Sequence, residues 1–249
     1  MKKTIFVPDI HAPFHDRLAF KACLKAIEAV RPERVVLLGD VGEFEGASGW
    51  KWEKRKRPPL EYVLPEVDAD FIATNKILDE LDKTIDWECE KIFIEGNHED
   101  RVNRLLEEFP YLSDRFDVAT ALNLKQRGWL FYPLGQLVKV GPVYAYHGVH
   151  AGGITHTRAH LLKFGCNIVY GHYHDVSMYS MQRPKDTIKA WCLGCLKDLS
   201  PAANEWLKGS PNNWGHAIGL MTEWSRESFT MDVIEINKGH SIFEKARLE

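Results

Sequence analysis

Five short segments carry side chains that can bind metal: Asp9-Ile10-His11, Gly39-Asp40, Gly96-Asn97-His98-Glu99, His147-Gly148 and Gly171-His172-Tyr173-His174. Together they offer carboxylate, amide and imidazole groups without a thiolate. That donor mixture suits borderline ions such as Mn²⁺, Fe or Zn²⁺ better than Ca²⁺ or Mg²⁺. The set is too rich for one ion. Two ions about 3.5–4 Å apart, sharing a carboxylate, clamp the attacking and leaving oxygens of a phosphoryl displacement. Asp40 is suited to the shared position, having two oxygens and no second ligand candidate in its own segment. Water held between such ions has its pKa drawn from ~15.7 towards ~7, which supplies hydroxide at neutral pH.

These segments need elements that deliver them to one place. Lys2 to Val7 is a β-rich run ending at Pro8-Asp9, and Arg34 to Leu38 is a continuous apolar run ending at Gly39-Asp40. Lys91 to Glu95 runs into Gly96-Asn97 in the same way. Helical spacing over Arg17 to Val30, Phe71 to Ile85 and Glu99 to Phe109 separates and follows these strands, with stops at Pro32 and Pro110. The order β-α-β-α-β-α implies a parallel sheet, in which ligands gather at the carboxyl ends of the strands. The second half changes character. Trp129 to Leu134, Gln136 to Val140, Val143 to Tyr146, Ile168 to Tyr170, Thr187 to Leu193, Ala217 to Glu223 and Phe229 to Ile236 read as strands, with a helix over Thr155 to Phe164. Sheets packed face to face with helices outside, an α/β class, fit this pattern.

The chain has 249 residues, 45% of them hydrophobic, and a net charge of −3. It is long enough to build a substantial core, and it is not a globally basic nucleic-acid binder. The apolar run at the start ends at Pro8-Asp9, short of the ~7–15 residues of a secretory core. The five cysteines are scattered and odd in number, so a reduced, cytoplasmic setting is expected. Cys192 and Cys195 form a single C-x-x-C inside a strand-like run and read as strand residues. His15, His150, His156, His160, His216 and His240 read as ordinary surface or core histidines.

The motif series D-x-H, G-D, G-N-H-E, H and G-H-x-H resembles that of the calcineurin-like metallophosphoesterases, and Asp9/His11, Asp40, Asn97/His98/Glu99, His147 and His172/His174 meet every position of it. The resemblance covers residues 9 to 174. It implies a four-layer α-β-β-α double β-sandwich flanked by helices, occupying residues 1–249 as one domain. It also implies that one divalent ion takes Asp9, His11, Asp40 and His174, and a second takes Asp40, Asn97, His147 and His172. His98 would then approach the leaving oxygen as proton donor or stabiliser, and Glu99 would orient a histidine from outside the ligand shell. Manganese is the expected metal.

Two stretches fall outside the motifs. Residues 48–60 form an insertion in which Trp50 and Trp52 interleave with Lys51, Lys54, Arg55, Lys56 and Arg57; residues 197–216 are rich in Pro, Asn and Trp. Aromatic and basic residues together stack bases and follow a phosphate backbone. The expected substrate contacts are therefore Arg101, which could meet a phosphate bidentately, with Trp52, Lys54 and Arg55. The reading is a hydrolase cleaving phosphodiester bonds, with DNA or RNA as the expected partner. It is nuclease-like, acting by in-line attack of a hydroxide shared between two ions. A phosphomonoesterase or nucleotide phosphohydrolase on the same site is the alternative. A scaffold that kept the fold and lost catalysis is disfavoured, because Asp9, His11, Asp40, Asn97, His98, His147, His172 and His174 are all present.

Overall fold

The computed structural model describes residues 1–53, 56–210, 212–225 and 228–243. In chain order the elements are β1 (Lys2–Val7), α1 (Arg17–Val30), β2 (Arg34–Leu37), α2 (Leu60–Thr84), β3 (Glu90–Ile94) and α3 (Asp100–Glu108). Two short helices follow, α4 (Ser113–Phe116) and α5 (Val118–Ala121), then β4 (Trp129–Tyr132), β5 (Val138–Val140) and β6 (Val143–Ala145). The remainder is α6 (His156–Phe164), β7 (Ile168–Tyr170), β8 (Val176–Gln182), β9 (Thr187–Leu193), β10 (Ala217–Glu223) and β11 (Phe229–Glu235). Single 3₁₀ turns occur at Trp50–Trp52, Pro110–Leu112 and Glu205–Leu207.

The strands form two sheets, ordered β11-β10-β1-β2-β3-β4 and β5-β6-β7-β9-β8. β1, β2, β3 and β4 run parallel, as do β6, β7 and β9. Alternation along the central strands explains how they pack. In β1, Ile5 and Val7 face one side and Phe6 the other; in β2, Val35 and Leu37 oppose Val36. Every one of these residues is buried, as expected for a parallel sheet covered on both faces. The result is three apolar layers. One lies between the first sheet and α1 and α2, through Phe20, Ile27, Leu78 and Leu81. A second lies between the sheets, where Phe6, Val36, Ile92 and Ile94 meet Val140, Val169, Trp191 and Leu193. The third joins the second sheet to α6 through Leu161, Tyr170 and Ile188. The architecture is four-layer α-β-β-α.

Helix ends follow local chemistry. The Asp16 carboxylate accepts from the amides of Leu18 and Ala19 at the start of α1. The helix ends at Arg31 in a left-handed conformation, just before Pro32. α2 begins eleven residues before the apolar spacing suggests, since its buried stripe there carries Asp70 and Thr74 among Val63, Val67 and Phe71. β8, absent from the expected strands, is an edge strand with no fully buried residue. Among the described residues, no helix is long and apolar enough to cross a membrane.

Candidate metal centre

All five candidate segments lie just past the carboxyl ends of parallel strands, and both sheets contribute. Asp9 and His11 follow β1, Asp40 follows β2, and Asn97 and His98 follow β3. His147 follows β6, and His172 and His174 follow β7. The turns are tight. Asp9, His11, Asp40, His172 and His174 all have positive φ, between 32° and 69°. Such backbone costs of order 1 kcal/mol or more per residue and is retained where the surroundings fix it. Two glycines make room. A β-carbon on Gly96 or on Gly171 would run into the carboxylate of Asp40 or of Asp9.

The donor atoms converge. His11 Nε2 faces His174 Nε2 at 3.0 Å, and His174 Nε2 is 3.7 Å from Asp9 Oδ1. His147 Nε2 lies 2.8 Å from Asn97 Oδ1, 3.3 Å from Asp40 Oδ2 and 3.2 Å from His172 Nδ1. Three sets, Asp9/His11/His174, His11/Asp40/His98 and Asp40/His147/His172, each keep their ligand atoms within 4.8 Å of one another. Asp40 belongs to two of them, in keeping with a shared carboxylate.

Tautomers follow from the far side of each ring. His147 Nδ1 is 2.9 Å from the carbonyl of Leu38, which can only accept, so Nδ1 carries hydrogen and Nε2 is the ring nitrogen turned to Asn97 and Asp40. His11 Nδ1 donates to Glu43 Oε2 at 2.8 Å, which turns its Nε2 to the cluster. His174 Nδ1 is buried without a partner. Ring nitrogens that share protons at these points can give them up to a cation, so the donor set fits divalent metal. Oxygen and imidazole nitrogen, with no sulfur among the described members, suit the borderline ions.

Electrostatics agree with that fit. Burial drives the carboxyl of Asp9 well above its usual range, with Asp40 adding to the effect. Burial also works to raise Asp40, but His147 and His98 hold it well below. Burial works against the charged form of His147, yet Asp40 and Asp9 bring it up to about 9. Burial lowers His172 to about 4, with His147 adding, and puts His174 well below the usual imidazole range. Two carboxylates, Asp9 and Asp40, buried among imidazoles this tightly make a site suited to external positive charge.

His98 stands at the cluster's edge. Its backbone amide donates to Asp40 Oδ1 at 2.9 Å, and Nδ1 lies 2.8 Å from the carbonyl of Glu43. Arg101 Nη2 donates to His98 Nε2 at 3.1 Å, while Nη1 donates to the Glu43 carbonyl and to the Glu45 carboxylate. Burial, partly opposed by Asp40, brings His98 down to about 3. Arg101 reaches the site but is engaged there rather than held out for a phosphate.

Glu99 does not orient a histidine. Its buried carboxylate accepts from the amides of Asp40, Val41, Gly42 and Gly96 at 2.8–3.0 Å, tying the β2 turn to the β3 turn. Burial, reinforced by Asp40, raises it to about 7. The carboxylate that meets histidines is Glu43, through His11 and, at 3.4 Å, His98; Lys197 donates to it at 3.3 Å. Sequence reasoning missed both Glu43 and Lys197. The only sign of Lys197 was its place after β9, the parallel neighbour of the His172 strand.

A cleft of about 480 Å³ opens over the cluster, lined by His11, Asp40, His98, Arg101, His172 and His174 together with Phe14, Trp50, Trp206 and Trp214. Trp52, expected at the rim, is not among the lining residues; Trp50 from the same turn is. Lys54 and Arg55 lie outside the described residues. His156 and His160 are satisfied core residues. His156 pairs with Tyr170 Oη and Asp175, and His160 with the carbonyls of His156 and Gly148. A larger groove of about 910 Å³ between α1 and α2 holds no member of the donor set.

No protein-family model matches the chain. It is similar to the Gene 54 proteins of Mycobacterium phages D29 and L5, each 23% identical and with 89% of both chains covered. Among solved structures it is similar in fold to Vps29 of Chaetomium thermophilum. That match has a TM-score of 0.50 and 14% identity, and covers 96% of this chain and 93% of the other. A looser match, at TM-score 0.45 and 17% identity, is to YfcE, a phosphoesterase from E. coli, with 96% of each chain covered.

Proposed function

From a chain with the calcineurin-like metallophosphoesterase fold, we propose a metal-dependent phosphoester hydrolase that acts on phosphodiesters. One observation carries the reading. Ligand atoms from five strand ends converge on common points, while the opposite sides of His11 and His147 are pinned by Glu43 and Leu38. Asp9, His11, Asp40 and His174 would hold one divalent ion, and Asp40, Asn97, His147 and His172 a second. Bound there, the ions would neutralise charge gathering on the phosphoryl oxygens and supply a nucleophile at neutral pH. Mn²⁺ is the proposed ion, on donor chemistry. Unpaired Cys23, Cys89, Cys166, Cys192 and Cys195 go with a reducing, cytoplasmic compartment.

His98 is the proposed proton donor to the leaving oxygen. Its Nδ1–H is held by the Glu43 carbonyl, so Nε2, which accepts from Arg101 and carries no hydrogen in the resting arrangement, would have to take up a proton from water before passing one to the leaving oxygen. For His98 to turn towards the leaving oxygen, the Arg101 contact must be exchanged. That exchange frees a guanidinium N–H for a phosphoryl oxygen.

Hydrolysis of bis-p-nitrophenyl phosphate and of p-nitrophenyl phosphate by the Mn²⁺-loaded protein tests this. The diester should be cleaved. His98→Ala should keep its metal and lose about 10²–10⁴-fold in kcat, whereas Asp40→Asn should lose metal and activity together. Cleavage of the monoester with the diester untouched would favour a phosphomonoesterase. The likeness in fold to Vps29 motivates a second reading, a non-catalytic protein. Metal content below one ion per chain, with no ester hydrolysed, would favour it.

A further inference from the structure

The cleft above the donor cluster is walled by rings that phosphoryl transfer does not itself require. Of the eight tryptophans, Trp50, Trp206 and Trp214 line it, with Phe14. Trp50 is 72% exposed and Trp206 58%. Large apolar surface left in water forfeits burial energy, and when it rims a cleft it marks a contact site.

Two of these rings, Trp214 and Trp206, sit on fixed backbone. Trp214 is fixed by a bridge to Asp175 and by the Gly215 amide donating to the His174 carbonyl. Its ring meets His174 edge-on at 4.6 Å and lies 5.9 Å from that of Trp206, so aromatic surface runs from the donor cluster out to solvent. Trp206 rides on the Glu205–Leu207 turn, which buried Asn204 ties down by donating to the carbonyls of Asp198 and Ser200. Trp50 comes from a different connection, between β2 and α2.

We infer that the cleft receives a single-stranded nucleic acid, with bases stacked on Trp206 and Trp50 on either side of the phosphate to be cleaved. This rests on the phosphoesterase reading above and names its substrate. Two separate aromatic positions suit two planar bases joined through one phosphate, whereas a tyrosine phosphate has a single ring. In a duplex the base faces are already stacked on one another, so only an open strand offers them to indoles. Stacking of this kind is indifferent to sequence because every base has a π-face. A volume of about 480 Å³ exceeds what a bare phosphate needs and falls in the range of nucleotide-sized ligands.

The test is binding to the full-length, Mn²⁺-loaded protein, read by tryptophan quenching. The probes are a phosphorothioate oligothymidylate, its abasic counterpart of equal length, and a duplex. The base-bearing single strand should bind tightest. Trp206→Ala and Trp50→Ala should each weaken that binding about 10- to 100-fold and leave the abasic strand's affinity as it was, while Trp206→Phe should restore most of the loss. Both positions are exposed, so the variants should fold. Equal affinity for base-bearing and abasic strands, a preference for duplex, or tighter binding of a tyrosine-phosphate peptide would each overturn the inference. Hydrolysis of bis-p-nitrophenyl phosphate by the unaltered protein reads the phosphoesterase assignment separately. Its presence without base-dependent binding removes only the strand, and its absence with base-dependent binding removes only the enzyme.

Discussion

Glu43 joins two histidines of the centre to a lysine from a distant connection. It takes the Nδ1–H of His11 at 2.8 Å, lies 3.4 Å from His98 Nδ1 and accepts from Lys197. Burial works to raise its carboxyl, but the hydrogen bond and charge of His11, with His98 and Lys197, hold it well below the usual range. An ionised partner behind a ligand histidine fixes the ring and raises its basicity, an effect worth about 10–100-fold in metal affinity. Glu43→Ala should therefore weaken Mn²⁺ binding by that factor, and Glu43→Gln, which keeps an acceptor oxygen, by less. Titration calorimetry with unchanged circular dichroism checks this; unaltered affinity in the alanine variant would refute the role. The seven donors were readable in the sequence because aspartate, asparagine and histidine at strand ends announce themselves by type and spacing. Glu43, Lys197, Trp206 and Trp214 were not, because glutamate, lysine and tryptophan are common in loops. They gain meaning only when the β2–α2 and β9–β10 connections meet over one cleft.

The central strands and α1 were readable because their residues are apolar on a clear period and end at Pro or Gly. α2 and β8 were misjudged for opposite reasons. The first half of α2 buries polar groups that break the apolar stripe, and β8 buries no residue fully. Asp70 is the informative case. It accepts from the Gly46 amide at 3.0 Å, where the loop after β2 packs on α2. Burial, with Glu43, Glu45 and Glu66 nearby, raises its carboxyl to about 6. The folded protein therefore holds this proton more tightly than the unfolded chain, whose aspartate titrates near ~3.9. The stability contributed by the protonated form is complete below about pH 4 and is lost as pH rises through about 6. Asp70→Asn keeps an oxygen for Gly46 and removes the charge. It should be near neutral at pH 4 and stabilising by about 1–2 kcal/mol at pH 7. Urea unfolding at both pH values measures it, and an effect independent of pH would contradict the assignment.

Taken together, the two sheets bury a continuous apolar layer between them, through Phe6, Val36, Ile94, Val169 and Leu193. At the carboxyl end of that layer the apolar contacts stop and the donor cluster begins. Asp9, Asp40 and Asn97 come from the first sheet, and His147, His172 and His174 from the second. Without a metal ion the sheets are held there by hydrogen bonds such as the one between His147 Nε2 and Asn97 Oδ1 at 2.8 Å. A divalent ion would take the proton's place and fasten one sheet to the other through several ligands at once. Ligand that binds only the folded state stabilises it by about 2.7 kcal/mol at a hundredfold excess over Kd. For a chain of this size that corresponds to a rise in Tm of about 5–10 °C. Differential scanning calorimetry should show this gain with Mn²⁺ and its reversal by EDTA. Asp40→Asn should abolish the gain, because the carboxylate shared by both donor groups is lost. A Tm indifferent to Mn²⁺ in the unaltered protein would mean that these strand ends are joined by protons and hydrogen bonds alone.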